Sequence, residues 1–392
     1  MDRFDPSNAV YLSDELKGSK RVSMLDLLDY FESAGLMRVS DLHLKVGQPP
    51  WYRIDGKLRR IKGDPLDQDT LRQLVFGLLS KEDRAQADQR EEVDASYPYK
   101  NYQFRIHVYR DSKGMVAAIR ALPLDIPKVE ELGFPNNIWK DIVHRGSGLV
   151  LVTGITGAGK STTIASLIER INKTRQCRII TLEDPIEYVF EEQRSLVSQR
   201  EIGRDVKSFE DGLRCVTRED PDVIFVGEMR DAESVSWTLT AAETGHLVFS
   251  TLHTRDTVGS ITRILDFFPS KRRRETQNQL SLGLACVISQ KLIPRNDGEG
   301  RVLAMEILNN TYGVANLIRS DHLEQIYSVI QTHGADKHDG RMITLEASIA
   351  RLVRNGVVDR KEATRWVNKL DVFEGSMRRH QRTPITSPKH FP

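Results

Sequence analysis

The sequence predicts an α/β protein with a parallel sheet covered by helices on both faces, preceded by a small α+β domain and followed by helices. Between about residues 144 and 308, apolar strands alternate with amphipathic helical segments, which is typical of a parallel sheet. Over residues 40–123, short alternating segments surround a helical one, which is typical of an α+β domain. Residues 311–371 carry helical periodicity.

The first domain is predicted from its periodicity and its turns. Residues 1 to about 20 show no clear pattern and are expected to form a disordered leader. The segment WYRIDGKLRRI predicts a hairpin with its turn at Asp55-Gly56. DTLRQLVFGLL predicts an amphipathic helix, and YQFRIHVYRD and GMVAAIRAL predict two further strands. We therefore expect one domain over residues 21–124.

The remaining boundaries follow from composition. Three prolines within thirteen residues predict a semi-rigid linker over residues 125–143. The core domain is expected over residues 144–372, with its helical part beginning at about residue 311. Residues 373–392 are basic and contain proline, and we expect them to be disordered.

Composition limits the classes of function. The formal net charge is only +2, so general affinity for nucleic acid or anionic membranes is not expected. The three cysteines lie far apart without a C-x-x-C pair, which argues against a disulfide framework or a zinc site and favours a cytoplasmic location. Since no apolar segment approaches the roughly twenty residues that span a bilayer, membrane association would require a partner.

A phosphate-binding loop opens the predicted core. The pattern G-x-x-x-x-G-K-S stands between an apolar strand and a helix, the context that makes this motif specific. We expect the backbone N–H groups and the helix N-terminus to surround the phosphates. Lys160 would contact the β- and γ-phosphates, and Ser161 would hold Mg²⁺. The predicted ATP-binding residues are Gly154, Ile155, Thr156, Gly157, Ala158, Gly159, Lys160, Ser161 and Thr162.

Two further strands are followed by carboxylates. In CRIITLEDPIEYVF, the predicted apolar strand leads into Glu183, Asp184 and Glu187. In PDVIFVGEMRD, the predicted strand leads into Gly227 and Glu228. Ligands of open parallel sheets bind at the carboxyl ends of the strands. A carboxylate there can orient or deprotonate an attacking water. The second strand resembles a Walker B strand, which usually has an aspartate at the position of Gly227. Because that position holds glycine here, Glu228 is the candidate to hold Mg²⁺ or to place the nucleophile.

A third strand, in AAETGHLVFSTLHT, has a histidine at each end, His246 and His253. They are candidates to sense the γ-phosphate or to hold a subunit interface. A metal site shared by the two is not expected, because seven residues of strand span about 23 Å.

These four segments, in this order, resemble the secretion ATPase superfamily of type II secretion and type IV pili. They correspond to its Walker A motif, aspartate box, Walker B motif and histidine box, and the resemblance is greatest to the twitching-motility retraction ATPases, the PilT and PilU group. It implies a RecA-like P-loop core behind a PAS-like domain that begins near SDLHLKVGQPP. It also implies catalytic roles for Glu187 and Glu228, and roles for His246 and His253 in the site.

The resemblance further implies arginines that reach the nucleotide from the first domain. Arg105 in YQFRIHVYR and Arg120 in AAIRAL match the strands that carry them in the family. A guanidinium neutralises charge on the γ-phosphate during phosphoryl transfer. The alternative is that either arginine only pairs with a surface carboxylate.

The function implied is a homohexameric, Mg²⁺-dependent ATPase that drives pilus retraction from the cytoplasmic face of the inner membrane. Its expected partner is a pilus platform protein, with a paralogous retraction ATPase as a further candidate and no nucleic acid. Where the family has AIRNLIRE, this chain has GVANLIRSD at residues 313–321, so a principal and an accessory motor stay open. The alternatives are a pilus-extension or type II secretion ATPase, a RecA-like nucleic-acid translocase and an inactive scaffold.

Overall fold

The computed structural model describes residues 4–16, 21–34, 38–89, 91–333 and 341–379. The chain divides into two compact units, Met1–Asp125 and Ile126–Pro392. Each unit is built on its own cluster of buried apolar side chains. Within the described ranges, no helix has the length and apolar character needed to cross a membrane.

The first unit is built on a six-stranded antiparallel sheet in the order β5-β4-β3-β8-β7-β6, beside a two-stranded pair, β1 and β2. Its strands are β1 (Tyr11–Leu12), β2 (Arg21–Val22), β3 (Val39–Lys45), β4 (Trp51–Ile54), β5 (Lys57–Arg60), β6 (Val93–Tyr99), β7 (Tyr102–Asp111) and β8 (Gly114–Pro123). Its helices are α1 (Met24–Ser33), α2 (Gln68–Phe76) and α3 (Lys81–Asp88). Apolar side chains of the helices pack against the buried face of the sheet.

The predicted hairpin is present, and the predicted leader differs. Asp55 and Gly56 have φ values of 48° and 82°, so both adopt the left-handed backbone that tight hairpins require between β4 and β5. In the leader, Tyr11 is only 2% exposed and pairs with Val22. The pairing involves two residues on each strand, too few to produce a periodicity that the sequence would reveal.

The second unit contains a seven-stranded sheet in the order β11-β10-β12-β13-β9-β14-β15, parallel except for β15. Its strands are β9 (Gly148–Thr153), β10 (Arg178–Glu183), β11 (Leu196–Glu201), β12 (Val223–Val226), β13 (Leu247–Leu252), β14 (Leu284–Pro294) and β15 (Arg301–Asn309). Its helices are α4 (Ile138–His144), α5 (Lys160–Thr174), α6 (Phe209–Val216), α7 (Ala232–Glu243), α8 (Thr257–Asp266), α9 (Ser270–Gly283), α10 (Tyr312–Arg319), α11 (Ile326–His333), α12 (Leu345–Arg354), α13 (Arg360–Ala363) and α14 (Leu370–Arg379).

The predicted α/β fold class is confirmed, with the sheet buried between two apolar clusters. Because β9, β10, β12 and β13 are parallel, their carboxyl ends lie at one edge of the sheet. That common edge is where the predicted loop and carboxylates meet.

Two predicted boundaries differ from the structure. Residues predicted as a linker include α4, whose Ile138 and Ile142 are buried in the second unit, because an amphipathic helix gains stability by burying its apolar face. The predicted tail begins at residue 373, yet α14 continues to Arg379 and Phe373 is fully buried beside Ile349. Residues 380–392 of that tail lie outside the described residues.

Candidate active site

The loop between β9 and α5 has a backbone that only glycine fits at its first position. Gly154 has φ of 148°, and a Cβ there would lie 2.6 Å from the carbonyl oxygen of Gln290. At the other end, Gly159 has φ of 84° and caps α5. The loop therefore leads directly into a helix N-terminus, where N–H groups and the helix dipole favour a phosphate.

Lys160 is held inside this loop. It is 8% exposed, and its Nζ donates to the carbonyl oxygens of Gly154 at 2.9 Å and Ile155 at 3.2 Å. Burial lowers the pKa of Lys160, and the nearby Glu228 and Glu187 oppose that change. The charges of both carboxylates therefore act on the lysine. The sequence predicted that these groups lie at the same edge of the sheet. Phosphate oxygens would be stronger, charge-assisted acceptors than these carbonyls.

The segment after β10, residues 184–190, carries the half-buried Glu187. Next to it, the hydroxyl of Tyr188 lies 2.8 Å from Oγ1 of Thr162 in the first turn of α5. Before it, Glu183 is 6% exposed, and its Oε1 accepts from Thr181 Oγ1 at 2.7 Å and from Gln199 Nε2 at 3.2 Å. Burial raises the pKa of Glu183 to about 7. The segment is thus joined to both the phosphate loop and the sheet.

The segment after β12 carries Glu228 in an exposed network of charges. Arg230 Nε donates to Glu228 Oε2 at 2.9 Å, and Arg230 Nη1 donates to Asp184 Oδ2 at 2.9 Å. On the other side of the carboxylate, His253 Nε2 lies 3.4 Å from Glu228 Oε1. His253 Nδ1 lies 3.5 Å from Oγ1 of Thr156 in the phosphate loop. Burial, followed by the charge of Lys160, lowers the pKa of His253 and so favours its neutral form.

The structure brings together most of the predicted residues and separates others. His253 lies with the loop, whereas His246 precedes β13 at the opposite edge of the sheet. There its Nδ1 lies 2.9 Å from the carbonyl oxygen of Ala241 in α7. His246 therefore makes no contact with this chain's own phosphate loop.

The two predicted arginines belong to the first unit, where they face each other across β7 and β8. Arg120 donates from Nε to Oδ1 of the buried Asp41 at 2.9 Å. No ion pair is found for Arg105 within the part of the chain that the structure describes. Its side chain is exposed.

Sequence reasoning missed three side chains that line or support this edge. Arg230 follows Glu228 by two residues within the GEMRD segment, so the sequence could have indicated that the two side chains make contact. Gln290 of β14 donates from Nε2 to the carbonyl oxygen of Ala158 at 2.8 Å, and Gln199 of β11 contacts the aspartate-box segment. Neither glutamine belongs to a pattern, and each reaches its partner only because its strand is placed beside another strand of the sheet.

The oxygen donors at this edge suit Mg²⁺, which prefers hard oxygen ligands and retains several waters. Ser161 offers a hydroxyl in the first turn of α5, and Glu228 offers a carboxylate. Among the described residues, no group of three or more His, Cys, Asp or Glu side chains is arranged to hold a metal ion. These two donors fit a cation that is held jointly with nucleotide phosphates.

Comparison with known proteins agrees with this geometry. The sequence model of the family described as "Type II/IV secretion system protein" matches residues 24–385. The type IV pilus retraction ATPase PilT of Pseudomonas aeruginosa is 41% identical over 340 residues, covering 86% of this chain and 97% of the relative. A twitching motility protein of Neisseria gonorrhoeae is 41% identical, covering 81% of this chain and 83% of the relative.

Among solved structures, the crystal structure of a pilus retraction motor, PilT with bound ADP, superposes with a TM-score of 0.76. It is 41% identical in sequence, and the match covers 90% of this chain and 98% of that chain. The similarity therefore extends over both units.

Proposed function

The chain belongs to the family of type II/IV secretion system proteins, and we propose that it is an ATP-driven motor that powers retraction of a type IV pilus. The predicted family, ATPase activity and retraction function are confirmed by the retraction ATPases that resemble it over nearly their full length. Nucleotide binding is supported by the bound ADP of the solved relative. The observation that carries the proposal is that Lys160, Glu187 and Glu228 follow parallel strands whose carboxyl ends share one edge of the sheet.

The chemistry we assign to these residues is phosphoryl transfer from ATP to water. The phosphate loop would bind the β-phosphate through its N–H groups, with the Lys160 ammonium on the β- and γ-phosphates. Glu187 would orient the attacking water and accept its proton. Ser161 and Glu228 would hold Mg²⁺, which neutralises charge on the phosphates.

We further propose that the motor is a homohexamer and that Arg105 and Arg120 contact nucleotide. Both side chains are exposed on the sheet of the first unit. A guanidinium spreads its charge over a planar fork that suits phosphate oxygens. Asp41, which is 6% exposed and binds Arg120, would fix the direction of that guanidinium.

We place the hexamer at the cytoplasmic face of the inner membrane, bound to the pilus platform protein. A paralogous retraction ATPase is a further candidate partner. Residues 313–321, where the sequence departs from the family, lie in α10 and the turn that follows it, with Val314 and Ile318 buried. That packing supports a structural role for the segment. A principal and an accessory motor both stay open.

The direction of work is tested by deleting the gene in the source bacterium and counting surface pili by electron microscopy. Retraction predicts an excess of pili and loss of twitching, both restored by the wild-type gene but not by Lys160→Ala. Loss of pili after the deletion would instead assign the chain to pilus extension.

A further inference from the structure

The aspartate-box segment, residues 184–190, is fastened to the sheet by side chains of β11. This strand stands at the edge of the sheet and pairs with β10 in parallel, so that Thr181 lies opposite Gln199 and Glu183 opposite Glu201. Alternate residues of a strand share a face. Gln199 and Glu201 therefore both point to the face where the segment crosses, and Arg200 points away from it.

Gln199 binds the segment through both ends of its amide. Its Nε2 donates to the carbonyl oxygen of Tyr188 at 2.8 Å, and its Oε1 accepts from the backbone N–H of Phe190 at 2.8 Å. The same Nε2 lies 3.2 Å from Oε1 of Glu183. One side chain thus satisfies a backbone acceptor and a backbone donor of the segment, two residues apart.

A further contact fixes a residue just before these. Glu201 Oε2 accepts from the N–H of Ile186 at 3.1 Å. Glu187 is therefore flanked by two residues whose backbone is held by β11, Ile186 through Glu201 and Tyr188 through Gln199. Since Tyr188 also contacts Thr162 of α5, this set of bonds connects β11 to the phosphate-loop helix.

We propose that Gln199 is a positioning residue for Glu187, because it fixes the backbone of Tyr188 and Phe190 and so keeps the neighbouring carboxylate directed at the nucleotide. The inference rests on the proposed function, in which Glu187 acts on the attacking water. In this proposal Gln199 acts through Glu187 and not by its own contact with nucleotide or water. A displacement of about 1 Å in a reacting group costs on the order of a hundredfold in rate, so losing this support would slow the chemical step.

The test replaces Gln199 by methionine in the full-length chain, keeping the length of the side chain and removing its hydrogen bonds. We expect kcat for ATP to fall by about 10- to 100-fold, while KM and the Kd for ADP change by less than about threefold. The matched control is Arg200→Met on the opposite face of β11. It removes the Arg200–Glu219 ion pair at 2.7 Å and should leave kcat unchanged. Wild-type kcat in Gln199→Met, or a loss confined to KM, would overturn the inference.

A double-mutant cycle ties the effect to Glu187. If Gln199 acts only through that carboxylate, Glu187→Gln combined with Gln199→Met should be no slower than Glu187→Gln alone. If the fold-reductions in kcat of the two single variants multiply in the double variant, the inference is contradicted. Wild-type turnover in Glu187→Gln would instead reject the role of Glu187 in the proposed function, which separates the two failures.

Should Gln199→Met fail to fold, Gln199→Glu replaces it. The glutamate retains an acceptor for the Phe190 N–H and loses the donor to the Tyr188 carbonyl. A fall in kcat of at least about fivefold with unchanged ADP affinity would support the inference. Wild-type kcat would overturn it.

Discussion

The two glutamates of the site stand in regions held by different kinds of contact. Glu187 lies in a segment whose backbone is bound by partly buried side chains of the sheet, including Gln199 and Glu201. The carboxylate of Glu228 is held by an ion pair to Arg230, which is about half exposed, and His253 Nε2 lies 3.4 Å from its other oxygen. At Glu187 the side-chain contacts hold the neighbouring backbone, and at Glu228 they hold the carboxylate itself.

The difference has an energetic basis. Breaking the partly buried hydrogen bonds of the first region would leave donors and acceptors unsatisfied, at a cost of up to roughly 1–3 kcal/mol each. Exposed ion pairs contribute roughly 0–1 kcal/mol, so those of the second region can exchange when phosphates and a cation arrive. We infer that nucleotide binding leaves the backbone near Glu187 in place and changes the partners of Glu228.

The largest effect is expected where both regions depend on one group. Lys160→Ala removes the ammonium whose charge interacts with both carboxylates, and we expect it to abolish nucleotide binding. Titration with a fluorescent ATP analogue measures this, with circular dichroism as a control for folding. Near wild-type affinity would contradict the role given to Lys160.

The next effect separates binding from turnover. Glu187→Gln and Glu228→Gln should each retain ATP binding and lose turnover by roughly a hundredfold or more, since a lost transition-state contact is worth a few kcal/mol. If Mg²⁺ is held at Glu228, only Glu228→Gln should also raise the Mg²⁺ concentration needed for half-maximal rate. Wild-type turnover in either variant would remove that residue from the mechanism.

The free energy of unfolding should depend on pH through Glu183, which lies in the region around Glu187. Burial raises the pKa of Glu183 from 4.5 to about 7, so the folded chain binds this proton more tightly than the unfolded chain does. Its contribution to stability is full below about pH 4.5 and falls as pH rises to about 7, by roughly 3 kcal/mol.

Glu183→Gln should therefore flatten the stability profile over this range. Urea unfolding of both proteins at about pH 5 and about pH 8 provides the measurement. Equal slopes for the variant and the wild type would show that Glu183 does not titrate in this window.

The smallest effect is expected in the exposed region. Arg230→Met breaks the pairs to Glu228 and Asp184, which lie on the surface, and should lower the free energy of unfolding by less than about 1 kcal/mol. The difference should shrink in about 1 M NaCl, where exposed charges are screened. A larger loss of unfolding free energy that does not change with salt would show that these pairs stabilise the fold as strongly as the hydrogen bonds around Glu187.

The sequence predicted features that rest on local patterns. The phosphate loop, the turn at Asp55-Gly56 and the strand that precedes Glu228 each depend on residues close together in the chain. The contacts of Gln199 and Gln290 could not be predicted, because they depend on which strands become neighbours. The same holds for Tyr11, whose burial follows from packing rather than from periodicity.

The account is tested most directly by a structure of the full chain with Mg²⁺ and a non-hydrolysable ATP analogue. We predict that Gln199 Nε2 stays bound to the Tyr188 carbonyl near its present 2.8 Å, while Glu228 Oε2 leaves Arg230 Nε, now at 2.9 Å, to face the cation. A structure in which the Gln199 contact breaks while the Glu228–Arg230 pair persists would contradict the account.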